Sequence, residues 1–177
     1  CMPSQAMSER VLCWLVDHSS GSQIVADDKS NRWPTLFNYQ GSVNYRFLFP
    51  IMDLDESIQI QPATIENAFM SPIVVASRRY DADKLLLGQL QSSNGEWILN
   101  WQLHDGRDGR ALIRGQAMGM PNQLAAQIVS ALESYIQEQN SVTVQSHFSP
   151  VKSDQLMAGR EKSLILSLYN RAISRRI

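Results

Sequence analysis

The sequence predicts an α/β domain with a mixed sheet and helices on its faces. Short continuous apolar runs, typical of strands buried on both faces, alternate with helical stretches in the first half of the chain. The second half changes to a period of two around an Asn-Gly pair and ends in a long amphipathic helix. The predicted order is β-α-β-α-β-β-β-α. Right-handed crossovers then make the first three strands parallel, and hairpins add an antiparallel meander at one side.

In the first half, polar residues and proline separate the apolar runs. Asp17 and a Ser-Ser-Gly turn end the first strand, Asp53 and Asp55 stop the second, and Pro72 is expected to break the helical stretch that follows. The predicted strands are residues 11–16, 47–51 and 84–90, and the predicted helices are residues 33–44, 63–69 and 73–79.

The second half is predicted from its turn and its alternation. Asn94 and Gly95 are the preferred pair for a tight hairpin, because both central residues of that turn need a positive φ. The remaining predicted strands are residues 97–103 and 110–118, and the clearest helix is residues 122–139. Trp97 and Trp101 lie on the same strand face. We expect both to pack under a helix, the alternative being that they anchor an interface.

The composition excludes several classes of protein. The chain has 177 residues, of which 44% are hydrophobic, with 16 basic and 17 acidic side chains. This balance argues against a nucleic-acid partner, because such binding normally needs a basic excess to displace counterions. No run of about 18 apolar residues is present, so no transmembrane span is predicted. We expect a leader or linker at residues 1–9, an α/β domain at 10–139 and a C-terminal extension with a helix at 140–177.

The two cysteines are too few for a disulfide scaffold. Cys13 lies in an apolar strand, where we expect it to act as a small hydrophobe. Cys1 has two interpretations: the lipid-bearing cysteine of a processed bacterial lipoprotein, or a boundary inside a longer protein. The polar, small-residue stretch at residues 2–8 favours the second.

Several segments resemble DUF2066, a family of gammaproteobacterial envelope proteins of unknown function. They are residues 14–16, 48–55, 76–83, 85–90 and 97–101, in that order, and the resemblance covers about residues 10–139. It implies an exported precursor with an additional N-terminal region, and it implies no catalytic residue. The element order around Tyr80 and Gly88 is also similar to the N-terminal domain of TolB and to lipoprotein activators of penicillin-binding proteins.

Carboxylates follow the first two predicted strands, and open α/β sheets bind ligands at the carboxyl ends of their strands. Asp17 ends the first strand, and Asp53 and Asp55 follow the second. We therefore assign these three residues as candidate ligands for a small molecule or Mg²⁺, since hard oxygen donors suit that ion. The favoured interpretation of the same residues is that they cap the next segments and keep the loops solvated.

The sequence contains no motif for nucleotide binding, nucleophilic catalysis or metal binding by cysteine and histidine. No glycine-rich phosphate loop, no G-x-S-x-G elbow and no C-x-x-C pair is present. His18, His104 and His147 are scattered, so we expect them to be solvated polar-face residues and not metal ligands. The sequence predicts no cofactor and no metal.

Arginines mark two candidate partner-binding regions. Arg79 ends a predicted helix, where a cation meets the negative end of the helix dipole, and it is also a candidate for contact with a partner. Near the C-terminus, apolar residues at helical spacing accompany Arg171, Arg175 and Arg176. The pattern favours a last helix that packs on the sheet, and the alternative is a basic amphipathic helix that docks on a partner or an anionic membrane surface.

Together these features favour a noncatalytic accessory module of the bacterial cell envelope that binds another envelope protein. Its expected location is periplasmic or outer-envelope, with a lipid anchor if Cys1 is a processed terminus. The alternative is a small-molecule or Mg²⁺-binding domain, with or without catalysis, that uses the carboxylates Asp17, Asp53 and Asp55. A third option is one domain of a larger chain whose ligand site lies upstream. The sequence predicts neither the partner nor the oligomeric state.

Overall fold

A computed structural model of the chain describes residues 8–39 and 43–159, with side chains described up to residue 141. Cys1, the side chain of His147, and Arg171, Arg175 and Arg176 lie outside the described residues, and so do the predictions made for them. Within the described residues, no helix is both long and apolar enough to cross a bilayer.

The described elements follow the predicted alternation of strands and helices. The strands are β1 (Glu9–Asp17), β2 (Gln23–Ile24), β3 (Tyr45–Leu48), β4 (Lys84–Ser93), β5 (Glu96–Asp105) and β6 (Ala111–Gly119). The helices are α1 (Arg32–Tyr39), α2 (Leu54–Gln59), α3 (Pro62–Glu66), α4 (Met70–Ser77) and α5 (Pro121–Gly159), and a 3-10 turn (Arg78–Tyr80) follows α4.

The strands form one mixed sheet, as the sequence predicts. Its order is β2-β1-β4-β5-β6, and β3 pairs with β1 beside β2. The β1 strand runs parallel to both β3 and β4, whereas β4, β5 and β6 form an antiparallel meander. Asn94 and Gly95 have φ values of 54° and 81°, so the tight hairpin between β4 and β5 is confirmed.

The β1 strand is buried on both faces, because helices cover both sides of the sheet there. On one face α2, α3 and α4 pack on β1 and β4. The core residues of this face are Leu12, Trp14, Val16, Leu85 and Leu87 from the strands with Ile60, Ile65, Ile73, Val74 and Ala76 from the helices. This layer holds the segment that contains Arg79, and it therefore positions the candidate site.

The opposite face packs against α1 and the first part of α5. Trp33 of α1 meets Trp97 edge to face, with ring centroids 5.2 Å apart, and the hydroxyl of Tyr45 donates to the carbonyl of Leu132 at 2.8 Å. Trp97 and Trp101 are both buried, which confirms the predicted core role. Cys13 is also fully buried, and loss of solvation raises the pKa of its thiol well above the ordinary value.

The structure corrects three local predictions. The helix expected at 33–44 ends at Tyr39, because β3 begins at Tyr45. The break in the next helical stretch falls at 67–69 and not at Pro72. Pro72 lies in the first turn of α4, where backbone N–H groups have no partner within the helix, so the proline is tolerated there. His104 is buried and not solvated: its Nδ1 lies 2.9 Å from the carbonyl oxygen of Gly109.

The division of the chain into 10–139 and 140–177 stays a prediction. The α5 helix continues through residue 140 to Gly159. Packing separates two compact units at Leu132 and Glu133, within this helix, and the sheet and α1–α4 belong to the first unit.

Candidate functional site

Four side chains form one hydrogen-bonded cluster between the start of α2 and the 3-10 turn. Nη1 of Arg79 donates to Oδ2 of Asp53 at 2.7 Å and to Oε1 of Glu56 at 3.3 Å. The hydroxyl of Tyr80 donates to the same Oε1 of Glu56 at 2.6 Å and accepts from the backbone N–H of Ile51 at 2.8 Å. We call Asp53, Glu56, Arg79 and Tyr80 the Arg79 cluster.

The local sequence explains how the acidic half of this cluster forms. Asp53 is the N-cap of α2, and its Oδ1 accepts from the backbone N–H of Glu56 at 3.0 Å. Oε2 of Glu56 reaches back to the backbone N–H of Met52 at 2.8 Å. Met52 has a φ of 57°, so the chain turns sharply before α2 and brings that N–H within reach of Glu56. The carboxylate of Glu56 is thereby buried with a partner on each oxygen.

The cluster shifts the pKa values of its members in consistent directions. The N–H of Glu56 first, and Arg79 second, lower the pKa of Asp53 below its ordinary value. The hydrogen bond to Asp53 raises the pKa of Arg79. Loss of solvation first, and the hydrogen bond to Glu56 second, raise the pKa of Tyr80 to about 12. All three shifts favour an ionised Asp53, a charged Arg79 and a neutral Tyr80 at neutral pH.

An apolar surface lies directly beside this cluster. Ile51, Leu54 and Ile58 are 54%, 75% and 67% exposed. Leu54 and Ile58 are one turn apart on α2, and Ile51 precedes Asp53 by two residues. We call Ile51, Leu54 and Ile58 the α2 patch. Arg79 is 45% exposed in its side chain, so this patch has a charged group at its margin.

A cavity of about 410 Å³ opens beside Arg79 and Tyr80, and Ile51 of the α2 patch is among its lining residues. The charged residues of the lining are Arg10, Arg46, Arg79 and Asp27. The rest of the lining is mostly apolar, from α1, β3 and the residues after β3. We call this space the arginine cavity.

A second cavity, of about 470 Å³, lies over β4, β5 and β6, on the part of the sheet face beyond α3. Its floor is made of amide side chains with one arginine: Gln89, Asn100, Gln102, Gln116 and Arg114. Two of these amides bond directly, since Nε2 of Gln116 donates to Oδ1 of Asn100 at 2.7 Å. Glu66 lies at its rim and pairs with Nε2 of His18 at 3.0 Å.

The structure places the three candidate carboxylates in different surroundings. Asp17 accepts from the backbone N–H of Ser19 at 2.8 Å and from the indole of Trp33 at 3.3 Å. Asp53 is engaged by Arg79, and Asp55 is exposed in the first turn of α2. In the described part of the chain, no group of three or more His, Cys, Asp or Glu side chains is placed to hold a metal ion. Their assignment as ligands stays a prediction.

Two residues that the sequence assigned to separate sites are joined here. Asp53 was expected to bind a ligand and Arg79 a partner, yet they form one ion pair. Glu56 and Tyr80 are members of the site that the sequence did not predict. The capping interpretation is correct for Asp53, which is the N-cap of α2, and the spacing Asp53-x-x-Glu56 is the helix-start signature that could have indicated Glu56. No comparable signal marks Arg10 or Arg46.

No protein-family model and no curated protein matches the sequence, so membership of DUF2066 stays a prediction. Among solved structures, the chain is similar to the C-terminal domain of LpoB from Salmonella enterica, with 14% identity and a TM-score of 0.41 over 66% of this chain and 84% of that one. It is similar to lipoprotein GNA1162 from Neisseria meningitidis, with 14% identity and a TM-score of 0.38 over 75% and 96%. It is also similar to TolB from Acinetobacter baumannii, with 12% identity and a TM-score of 0.39 over 76% of this chain but only 28% of that one. Because these TM-scores lie below 0.5, we infer no function from them.

Proposed function

We propose that this chain is a noncatalytic protein-binding module of the bacterial cell envelope and that its partner docks on the α2 patch. One observation supports this most directly. Three large aliphatic side chains, Ile51, Leu54 and Ile58, are each more than half exposed within eight residues of sequence. Clustered apolar exposure of this kind is typical of a docking site, whereas single exposed apolar residues are ordinary.

The surroundings of the patch match the general anatomy of a protein interface. An apolar centre carries most of the binding energy, and a polar margin excludes water around it. Arg79 and Asp53 supply such a margin. Because the buried carboxylate of Glu56 holds the start of α2 to the 3-10 turn, little conformational entropy should be lost when a partner binds.

The charge around the patch indicates what the partner presents. Arg79 is already neutralised by Asp53 and Glu56, whereas the exposed carboxylate of Asp55 has no ion-pair partner among the described residues. We expect a folded protein surface with an apolar centre and a basic side chain opposite Asp55. A location in the periplasm or at the outer envelope follows from the sequence resemblance, and Arg171, Arg175 and Arg176 stay a second predicted contact region.

Site-specific photocrosslinking in living cells tests the proposal. A photoreactive amino acid at Leu54 should give one discrete protein adduct, and the additional substitution I58D should abolish it. The matched control carries the same probe at Met118, an exposed apolar residue on β6. Equal adducts from Leu54 and Met118, or an adduct that survives I58D, would exclude the α2 patch as the docking surface.

The alternative function, Mg²⁺ binding by Asp17, Asp53 and Asp55, has less support in this geometry. Asp53 already accepts two hydrogen bonds, from Arg79 and from the N–H of Glu56, and a bound cation would have to displace the first of them. A ligand that binds only the native state raises the melting temperature. A rise in Tm with Mg²⁺ that is lost in D55N would therefore favour the alternative.

A further inference from the structure

We propose that the arginine cavity binds a small organic anion, in which a carboxylate or phosphate group is attached to an apolar body. Arg10 and Arg46 are its cationic ligands. The site borders the α2 patch, with Ile51 common to both, and the proposal does not rest on partner binding at that patch.

The sheet register brings the two arginines together. Arg10 of β1 and Arg46 of β3 are direct partners in the parallel pair of strands, so their side chains leave the same face of the sheet next to each other. Like charges in this relationship repel and destabilise the pair. A shared anion would remove that repulsion, since each guanidinium presents planar donors that suit carboxylate and phosphate oxygens.

Neither guanidinium forms an ion pair among the described residues, although the backbone N–H of Arg10 donates to Oδ2 of Asp83 at 2.9 Å. Nη2 of Arg10 donates to the carbonyl oxygen of Tyr80 at 2.8 Å, while its Nε is buried without a hydrogen bond. The guanidinium of Arg46 is exposed and makes no hydrogen bond or ion pair within the same part of the chain. Arg79 differs, because Asp53 and Glu56 neutralise it. The donors of Arg46 are therefore free, and Nη1 of Arg10 makes no hydrogen bond in this part of the chain, whereas the buried Nε of Arg10 is not open to a ligand.

The one carboxylate in the wall does not fill this role. Asp27 is exposed, and its backbone N–H donates to the carbonyl oxygen of Pro50 at 2.8 Å. No ion pair joins its carboxylate to any arginine of the described residues. The lining side chains thus carry three positive charges and one negative charge.

The remaining wall indicates the rest of the ligand. Pro34, Phe47, Leu48, Phe49 and Ile51 line the cavity beside the arginines. Its volume of about 410 Å³ falls in the usual range for small-molecule sites, roughly 300–1,000 Å³. A bare inorganic ion would leave most of this space unfilled, so we assign an anion with an apolar part.

Calorimetric titration of the full chain tests the proposal with four probes: phenyl phosphate, benzoate, inorganic phosphate and neutral phenol. We expect binding of phenyl phosphate, benzoate or both, and weaker binding of inorganic phosphate and of phenol. The tighter of the two aromatic anions identifies the charged group. If neither binds, or if phenol binds equally well, the proposal is wrong.

Matched arginine variants locate the site. R46Q should lower the affinity for the tighter probe by about tenfold or more, as expected when a charge-assisted hydrogen bond is lost. R114Q, which removes another exposed strand arginine, on β6, should leave that affinity unchanged. Because the Arg46 side chain makes no hydrogen bond or ion pair among the described residues, R46Q should fold normally. Equal losses in both variants would indicate nonspecific charge attraction and overturn the assignment, whereas the crosslink from Leu54 should persist in R46Q.

Discussion

The buried carboxylate of Glu56 accepts the phenolic hydrogen of Tyr80 at a distance of 2.6 Å, across 24 residues of sequence. The other carboxylate oxygen accepts from the N–H of Met52, and the oxygen of Tyr80 accepts from the N–H of Ile51. One pair of side chains therefore satisfies two backbone donors that precede α2. Together with the ion pair between Arg79 and Asp53, it attaches the turn that presents the α2 patch to the 3-10 turn.

We expect Y80F to lower the free energy of unfolding by about 1–3 kcal/mol, because the phenyl ring leaves the Glu56 carboxylate and the Ile51 N–H each short of a partner. Urea unfolding followed by circular dichroism measures this change. Y39F is the control: Tyr39 is 83% exposed and should unfold like the native protein. Equal stability of Y80F and the native chain would show that water replaces the phenolic oxygen.

The phenol of Tyr80 should ionise later than an exposed tyrosine. Its pKa is raised to about 12, first by burial and then by Glu56. A folded-state pKa above the unfolded value of 10 contributes stability below pH 10, and this contribution is lost as the pH rises through 12. Phenolate absorbance during an alkaline titration should lose its latest component in Y80F and keep that component in Y39F. A late component that persists in Y80F would contradict the assignment.

The overall fold could be predicted because its signals are local. The apolar runs of β1 and β4 have no polar interruption, and the Asn94-Gly95 pair has few conformations other than a tight hairpin. Alternation in β5 likewise reports which face is buried. These patterns depend on neighbours in sequence, so a single chain is enough to recognise them.

The candidate site was harder to predict from the sequence, because its contacts join residues far apart in the chain. Those contacts bury polar side chains that a local sequence pattern would place at the surface. Glu56 is buried only because Tyr80 and Arg79 bond to it, and an acidic residue without those partners would be exposed. The burial of His104 has the same kind of cause, because its Nδ1 lies within hydrogen-bond distance of the carbonyl oxygen of Gly109 across a turn. The pairing of Arg10 with Arg46 depends on a strand register that neither strand reveals alone.

Removal of the Ser77 hydroxyl should destabilise the layer under the cluster. The indole N–H of Trp14 donates to the Oγ of Ser77 at 2.9 Å, and both side chains are buried. S77A leaves that N–H without an acceptor, which costs about 1–3 kcal/mol. The matched control is S71A, an exposed serine on the same helix, with an expected change within about 0.5 kcal/mol. Chemical denaturation of both variants measures the difference, and indistinguishable midpoints would argue against this role.

We expect a side chain at position 115 to destabilise the fold, because the indole ring of Trp101 lies against Gly115. A Cβ at this position would lie 2.7 Å from an atom of the Trp101 indole, which is closer than carbon atoms approach. We expect G115A to cost about 1–3 kcal/mol in the native background through overpacking. In W101F, where part of the indole is absent, the same substitution should cost less. A double-mutant cycle measures this coupling, and additive effects would show that the two positions are independent.

Acid should remove a separate stabilising contribution at the turn between β5 and β6. Hydrogen bonds from the side chain and the backbone N–H of Arg107 lower the pKa of Asp105 from 3.8 to about 2. A folded-state pKa below the unfolded value stabilises the native state above about pH 4, and this stabilisation is lost as the pH falls through 2. D105N should therefore have a lower Tm than the native chain at neutral pH, and the gap should narrow as the pH approaches 2. E96Q, which neutralises an exposed carboxylate beside the other hairpin turn, should show no such convergence. A constant gap for D105N across the acid range would indicate that its effect is steric and does not arise from the charge.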